Sequence, residues 1–221
     1  MAELVCDAIV FDLDGVLVDS SVIVERHWRR WAQRRDIDYA RIAAVMHGRR
    51  SAEVVALVAP HLDAECESRD LDAHEAVDTD GLRVFDGAAA LLLGLPPGQW
   101  GIATSGSALT ATTRLRFGHL PIPAALVTAE DVRRGKPDPD AYVLTAERLG
   151  VAPSSCVVVE DAPAGVAAAH AAGMRTVAVL TTHSPAALAA AELIVRGIDA
   201  LAVHQRHTRL VISARADWRE T

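Results

Sequence analysis

The stretch "AIVFDLDGVLVDS" (residues 8–20) decides the fold, because an apolar run ends there abruptly in acids. Unbroken apolar runs are typical of strands buried on both faces of a parallel sheet, whose functional groups gather beyond the carboxyl ends of the strands. Asp12 and Asp14 point to the same side of an extended chain and repel each other unless a cation lies between them or one is protonated. Gly15 permits a sharp turn that brings backbone close to a ligand. For these two acids alone, solvated loop residues or helix caps are an equally good interpretation.

Similar apolar runs recur along the chain and alternate with segments of helical character. The runs occupy residues 99–106, 124–131, 156–163, 175–182 and 191–198, and the helical segments residues 86–93, 107–117, 139–149, 163–172 and 185–190. This alternation predicts an α/β fold with a parallel sheet. Asp138 before Pro139 and Ser184 before Pro185 have the pattern of helix N-caps.

Residues 20 to about 80 contain helix-like segments that no strand-like run interrupts. A structureless insert of that length is improbable, so the sequence predicts a second, all-helical domain inserted after the first strand. We place the core at residues 1–18 and 85–221, and the insert at residues 19–84.

The composition limits the classes of function. The 221 residues are 51% apolar and 23% charged, which suits one sizeable core with a smaller unit. A net charge of −7 argues against a nucleic-acid partner, and an anionic substrate would need a local positive site. Three cysteines without a CxxC indicate reduced thiols, and no zinc-ligand spacing occurs. The start "MAELVCDAIV" lacks the pattern of a targeting signal, and no run approaches the roughly 20 apolar residues of a membrane span. We therefore expect a cytoplasmic protein without a membrane partner.

A second acidic pair, Glu160 and Asp161, ends the strand-like run in "VVVEDAPAG" (157–165). Together with Asp12 and Asp14 it suggests a site for a hard cation with oxygen ligands, of which Mg²⁺ fits best. Asp161 could also cap the helix that starts near Pro163, and the two roles are compatible.

Two further segments could hold an anion. In "IATSGS" (102–107) a strand ends in Thr104, Ser105 and Gly106 before a helix, and helix N-termini favour anions. In "RRGKPDPDAY" (133–142), prolines stiffen the segment that carries Lys136, so its ammonium could neutralise a phosphate. Taken singly, the first is an ordinary turn and the second an ordinary surface lysine.

The order of these segments resembles the four motifs of the haloacid dehalogenase-like phosphohydrolase superfamily. The motifs are "FDLDGVLVDS", "ATSG", "GKPDPDAY" and "VVVEDAPAGVAAAHAAGM", and the helical insert resembles the small cap of the phosphoglucomutase-like branch. The resemblance implies a Rossmann-like core and covers the chain up to about residue 203. "PPGQWGIATSGS", "MHGRRS" and "VDTDGLRVFDGA" are similar to bacterial sugar phosphatases and to fungal glycerol-phosphate and deoxyglucose-phosphate phosphatases.

The resemblance implies a Mg²⁺-dependent phosphatase that acts on small sugar or polyol phosphates through an aspartyl-phosphate. It implies that Asp12 is the nucleophile and Asp14 the general acid and base. The implied Mg²⁺ residues are Asp12, the Asp14 backbone carbonyl and Asp161, with Glu160 nearby or direct. The implied phosphoryl-binding residues are Thr104, Ser105, Gly106 and Lys136.

The insert should supply substrate selectivity. We expect the loop "HGRRS" (47–51) to face the site, with Gly48 allowing close approach and Arg49 and Arg50 contacting substrate. Two solvated arginines before a helix are an equally good interpretation. Trp28 and Trp31 fit the insert's own core better than a sugar-stacking platform. Asp19 and residues 80–85 should form the hinge, and the sequence assigns no role to Glu25, His27 or Glu75.

Three rival functions remain open. A β-phosphoglucomutase-like phosphomutase shares these motifs and this chemistry. A dehalogenase would not need Glu160 and Asp161, which disfavours it. A non-catalytic binding protein on the same fold is disfavoured because Asp12 and Lys136 are both present. The sequence decides neither the particular substrate nor the role of the C-terminal tail, and we expect a monomer or weak oligomer.

Overall fold

A parallel sheet of six strands forms the centre of the computed structural model, which describes residues 3–215. From one edge to the other, the strands are Leu126–Val127 (β6), Trp100–Ala103 (β5), Ala8–Phe11 (β2), Cys156–Glu160 (β7), Arg175–Val179 (β8) and Leu193–Val195 (β9). Each of the six predicted apolar runs contains one of these strands. The expected α/β fold with a parallel sheet is therefore confirmed.

The strand order places a crevice beside the first strand of this sheet. Counted along the chain, the six strands lie in the order 3-2-1-4-5-6, so the direction of winding reverses between β2 and β7. Phe11 of β2 pairs in register with Val159 of β7. Asp12 and Glu160 are the next residues on each strand, and this register brings them side by side at the reversal point, where open α/β sheets bind ligands.

Helices cover both faces of the sheet. They are Ala88–Gly94 (α5), Ala108–Phe117 (α6), Asp140–Leu149 (α7) and Pro163–Ala171 (α8). Ile9 and Phe11 of β2 pack into one apolar cluster with residues of α5 and α6, whereas Ala8 and Val10 pack into another with residues of α7 and α8. Burial on both faces explains why the strand reads as an unbroken apolar run.

Two predicted helix starts are wrong. Residues 185–190 form turns, because helix propensity is a weak preference that the surrounding structure overrides in a short segment. Helix α7 begins at Asp140, after Pro139, and Asp138 provides no cap but forms an ion pair with Arg134 at 2.9 Å.

The chain between β2 and β5 leaves the core for four helices. They are Ser21–Arg35 (α1), Tyr39–Ala43 (α2), Ser51–Val58 (α3) and Ala64–Val77 (α4), and we call them the cap. The cap has its own apolar cluster, which contains Trp28 and Trp31 with their rings edge to face at 5.5 Å. A two-stranded antiparallel ribbon, Val18–Asp19 (β3) with Arg83–Val84 (β4), connects cap and core. The proposed domain boundary at residues 18/19 lies within this ribbon, and the boundary at residues 84/85 lies at its end.

A second, antiparallel sheet was not predicted. Leu201–Arg206 (β10) and Arg209–Ala214 (β11) form a hairpin, and β11 also pairs with Glu3–Cys6 (β1). It uses part of the tail to which the sequence assigned no feature; residues 216–221 lie outside the described residues. The three thiols are free, as expected, with Cys6 and Cys156 buried. Between residues 3 and 215, no helix combines the length and the apolar character that a membrane span requires.

Candidate active site

A buried lysine lies between two carboxylates at the reversal point of the sheet. Lys136 Nζ donates to Asp12 Oδ1 at 2.8 Å and to Glu160 Oε1 at 2.7 Å. Its side chain is 1% exposed. Burial opposes the charge on Lys136, but the two carboxylates outweigh it and raise its pKa. The segment "RRGKPDPDAY" therefore places its lysine inside the protein, between two carboxylates, and not in an ordinary surface turn. Its contact with a phosphate stays a prediction.

Further donors hold Glu160 in place. The Tyr142 hydroxyl donates to Oε1 at 2.7 Å, and the backbone N–H groups of Asp161 and Ala162 donate to Oε2 at 2.8 and 3.0 Å. A Cβ at Gly165 would lie 1.7 Å from Glu160 Oε1, so glycine is required there. Sequence reasoning missed Tyr142, although "GKPDPDAY" contains one of only two tyrosines in the chain.

Three buried carboxylates form a group that fits a metal ion. Asp12, Glu160 and Asp161 offer oxygen atoms that all lie within 4.8 Å of one another. Burial, with Glu160 and Asp14 nearby, raises the pKa of Asp12 to about 7 despite Lys136. Burial and the other two carboxylates raise the pKa of Asp161 well above its usual range. Oxygen donors that repel one another in a buried site suit a hard divalent cation.

Gly15 allows the turn after β2 to pass directly against Asp161. Its φ is +82°, a conformation that favours glycine, and a Cβ there would lie 2.2 Å from Asp161 Oδ2. Thr182 Oγ1 also donates to Oδ2 and, at 3.0 Å, to the Asp161 backbone carbonyl. The sharp turn predicted at Gly15 is thus present, and it lies against Asp161.

The end of β5 contributes the small polar residues predicted from "IATSGS". The Gly106 N–H donates to Thr104 Oγ1 at 3.0 Å, and the Ser105 hydroxyl donates to the Gly48 carbonyl of the cap at 2.8 Å. Ser107 caps helix α6 by accepting from the Thr110 N–H at 3.1 Å. The N-terminus of helix α6 therefore lies beside the carboxylates. The contact of Ser105 with Gly48, which joins core and cap, lies there too.

A cavity of about 240 Å³ lies between core and cap, next to the carboxylates. From the core it is lined by, among others, Asp12, Asp14, Gly15, Thr104, Ser105, Gly106, Arg114 and Asp161. From the cap it is lined by, among others, Trp28, His47, Gly48, Arg49, Ser51, Asp72 and Glu75. Lys136 and Glu160 lie behind Asp12. Every site residue that the sequence predicted in the core domain therefore lines this cavity or lies directly beneath it.

Asp14 is held by two side chains. Ser20 Oγ donates to its Oδ1 at 2.7 Å, and Arg114 Nη1 lies 2.6 Å from its Oδ2. Arg114 Nη2 also donates to Glu75 Oε1 of the cap at 2.6 Å. The sequence carries no signal for Arg114, because arginines in helices usually lie in solvent.

The two arginines of "HGRRS" have different positions. Arg49 lines the cavity, whereas Arg50 turns away from it towards the loop before Lys136. Its guanidinium donates to Glu53 Oε1 at 2.6 Å and to the carbonyls of Val132 and Arg133 at 3.2 and 2.9 Å. The structure thus does not place Arg50 with the other candidate substrate contacts.

Other cap residues have mainly structural contacts. Glu25 pairs with Arg29 on the surface at 2.6 Å, and His27 Nε2 lies 2.9 Å from Asp78. Asp19 accepts from the Ser21 N–H at 3.1 Å at the start of α1. Trp28 serves both the cap core and the cavity wall, so its two interpretations are compatible.

Comparison with known proteins agrees with this arrangement. The family model for haloacid dehalogenase-like hydrolases matches residues 6–173. The chain belongs to this family. Expectations for the haloacid dehalogenase-like fold and for a phosphoric monoester hydrolase are both confirmed.

Two relatives and one solved structure show how close this haloacid dehalogenase-like hydrolase lies to known proteins. It is 41% identical to hexitol phosphatase A of Escherichia coli K12, over 90% of this chain and 94% of that protein. It is 32% identical to 2-deoxyglucose-6-phosphate phosphatase 1 of Saccharomyces cerevisiae, over 85% of each chain. Its fold matches β-phosphoglucomutase of Clostridium difficile with a TM-score of 0.73 and 22% identity, covering 88% of this chain and 92% of that one. The resemblance to bacterial and fungal phosphatases is confirmed.

Proposed function

We propose that this hydrolase removes phosphate from small sugar or polyol phosphates, with Asp12 as nucleophile and Mg²⁺ as cofactor. The observation that carries the proposal is the position of Asp12. It lies at the reversal point of the sheet, 4% exposed, with Lys136 on one oxygen and the cavity in front. The similarity to hexitol and deoxyglucose-phosphate phosphatases supports the substrate class.

In the first step Asp12 attacks phosphorus in line, and the bond from phosphorus to the sugar oxygen breaks. Lys136 donates to Asp12 Oδ1 and helps to orient the carboxylate for this attack. The product is an aspartyl-phosphate, which water then hydrolyses. Because Asp12 and a phosphate are both anions, the ammonium beside them lowers the energy of their approach.

The end of β5 supplies the donors for the phosphoryl oxygens. Thr104, Ser105 and Gly106 line the cavity. We assign the Thr104 hydroxyl and the Ser105 backbone N–H to the phosphoryl oxygens, and Lys136, beside Asp12, adds a positive charge. Charge on these oxygens must be stabilised throughout transfer, and donors fixed in a buried site do this without reorganising.

Asp14 transfers the proton. It donates to the leaving sugar oxygen as that bond breaks, then accepts a proton from the attacking water. Its place on the cavity wall, two residues after the nucleophile, supports this assignment.

Asp12, Asp161 and the Asp14 backbone carbonyl would hold the Mg²⁺, which offsets the repulsion between carboxylate and phosphate when bound. Glu160 is engaged by donors on both oxygens. We therefore assign Glu160 the role of a fixed negative charge that holds Lys136, while Asp12 and Asp161 would provide the carboxylate ligands.

The cap side of the cavity suits a substrate with hydroxyl groups. Arg49, His47 and Asp72 offer hydrogen-bonding groups, and Trp28 offers an apolar wall. A phosphomutase must also hold a second phosphate at the cap, where the carboxylates of Asp72 and Glu75 would repel it. These acids favour hydrolysis of monophosphates over the phosphomutase alternative.

The test compares the wild type with Asp12→Asn on a panel of hexitol, hexose and glycerol phosphates with Mg²⁺. We expect phosphate release from at least one polyol or sugar phosphate, and release by Asp12→Asn below about one thousandth of it. Undiminished turnover by Asp12→Asn would reject the nucleophile. Conversion of glucose 1-phosphate to glucose 6-phosphate without free phosphate would favour the phosphomutase.

A further inference from the structure

Arg114 is a buried cation to which the proposed reaction assigns no role. It lies on core helix α6, and its side chain is 4% exposed. Arg116, on the same helix, is exposed to solvent. A guanidinium loses favourable hydration on burial, so it is stable there only when anions surround it.

The anions around Arg114 come from the two sides of the cavity. Nη1 lies 2.6 Å from Asp14 Oδ2 of the core, and Nη2 lies 2.6 Å from Glu75 Oε1 of cap helix α4. Glu75 is 12% exposed and Asp14 27%. The three side chains thus form a chain from the proton-transferring residue, through a core helix, to the cap.

We infer that Arg114 is a positioning residue that orients the Asp14 carboxylate for proton transfer and is itself held by Glu75. This inference rests on the proposed role of Asp14. Ser20 on Oδ1 and Arg114 on Oδ2 restrain both ends of the carboxylate, which fixes its plane. The planar guanidinium presents donors in a rigid fork, so it can contact two carboxylates without bending.

Orientation matters here because proton transfer depends on short range and alignment. The carboxyl group must lie within hydrogen-bond reach of the leaving oxygen when the bond from phosphorus breaks. Two restraints remove rotational freedom from Asp14 before the substrate arrives. Glu75 reaches Arg114 only from the assembled cap, so the same contact makes the orientation depend on cap position.

The inference predicts a dependence on the leaving group. Phenyl phosphate and 4-nitrophenyl phosphate share one ring, but only phenoxide is a poor leaving group that needs a proton. We expect Arg114→Gln to lower kcat/KM for phenyl phosphate on the order of 100-fold. For 4-nitrophenyl phosphate we expect a loss of only about 10-fold, because its leaving group needs a proton less. A purely structural role would lower both equally, and equal losses would overturn the inference.

A double-mutant cycle shows whether Arg114 acts through Asp14. Asp14→Asn combined with Arg114→Gln should be no slower on phenyl phosphate than Asp14→Asn alone, because both changes remove one function. Fully additive losses would contradict the positioning role. If Asp14→Asn itself shows no leaving-group dependence, the proposed acid fails instead, so the two failures are distinguishable.

Two further variants complete the experiment. Arg116→Gln, on the exposed side of α6, should leave both rates unchanged. Glu75→Gln keeps size and an acceptor oxygen, and should show the same leaving-group dependence to a smaller degree. It also carries the test if Arg114→Gln does not fold, as judged by its circular dichroism. Unchanged rates in Glu75→Gln would overturn the link to the cap.

Discussion

The cavity has two halves that are built in different ways. On the core side, Asp12, Lys136, Glu160 and Asp161 are each at most 4% exposed and follow strand ends or pack against them. On the cap side, Arg49, Asp72 and Glu75 are partly exposed and lie in a loop or on helices. Strand register fixes the first set, whereas the second depends on how two domains meet. Chemistry common to many phosphate esters suits the rigid half, and recognition of a particular substrate suits the adjustable half.

Two arginine contacts connect the halves. Arg114 of the core reaches Glu75 of the cap, and Arg50 of the cap reaches the loop that precedes Lys136. Glu53 joins the second contact by accepting from the Gly135 N–H at 2.7 Å. Cap position is therefore coupled both to Asp14, the proposed proton-transferring acid, and to the segment that carries Lys136.

The largest effect is expected in the rigid half, from Lys136→Met. The change leaves Asp12 and Glu160 buried without their shared counter-charge. Removing one partner of a buried pair costs about 3–5 kcal/mol of unfolding free energy. We also expect kcat to fall roughly 100- to 1000-fold, since a preorganised positive charge is lost. Urea unfolding and phosphate release measure the two effects.

Lys136 offers its own control, because it is the only lysine in the sequence. Lysine-selective isotope labelling therefore yields a single side-chain ammonium signal in NMR spectra. That signal should be protected from solvent exchange in the wild type and shift when inorganic phosphate binds. A signal that exchanges rapidly with solvent, and whose chemical shift does not change when phosphate is added, would contradict the buried position of Lys136.

The next effect is expected at the junction, from Gly135→Ala. An added Cβ would lie 2.6 Å from Glu53 Oε2 and 2.8 Å from Arg50 Nε, so the cap side chains must move off the loop. We expect a loss of about 1–2 kcal/mol and a rise in KM of a few-fold, with kcat less affected. Gly94→Ala is the matched control, because nothing lies within 4 Å of its added Cβ. Equal behaviour of the two variants would show that the junction does not couple the halves.

The same division explains what the sequence could predict. Asp12 and Glu160 were predictable because each follows an unbroken apolar run, and such runs become adjacent parallel strands with their ends at one edge. The contact between Arg114 and Glu75 was not predictable, since it joins helices whose packing depends on two domains. The pairing of β1 with β11 was equally hidden, because it joins residues about 200 positions apart. The importance of Lys136 was indicated by one feature of the sequence that the prediction did not use. It is the only lysine, and every other long basic side chain is an arginine.

The smallest effect is expected deep in the cap half, from Asp72→Asn. Burial raises the pKa of Asp72 to about 6, with Ser51 opposing and Glu75 adding to the shift. In the unfolded chain the pKa is near 4. Below pH 4 the Asp72 carboxyl is protonated in the folded and in the unfolded chain, so it does not change the free energy of unfolding. Between pH 4 and 6 the carboxyl ionises more readily in the unfolded chain, so rising pH increasingly favours unfolding. Above pH 6 the penalty is constant, at most about 3 kcal/mol, and partial exposure reduces it to roughly 1 kcal/mol.

Asparagine at position 72 stays neutral and can still accept from Ser51 Oγ, which bonds to Asp72 at 2.6 Å. Asp72→Asn should therefore raise stability at pH 8 by roughly 1 kcal/mol, leave it unchanged at pH 4, and flatten the profile between. Urea titrations across this range measure the difference, with the exposed Asp70→Asn on the same helix as the control. A gain that is the same at pH 4 and pH 8 would show that the side-chain charge is not its cause. A gain at pH 8 that disappears at pH 4 would show that the cap half tolerates an unfavourable buried charge beside the cavity. A neutral residue at position 72 would make the fold more stable. It would also offer the substrate a different hydrogen-bonding group.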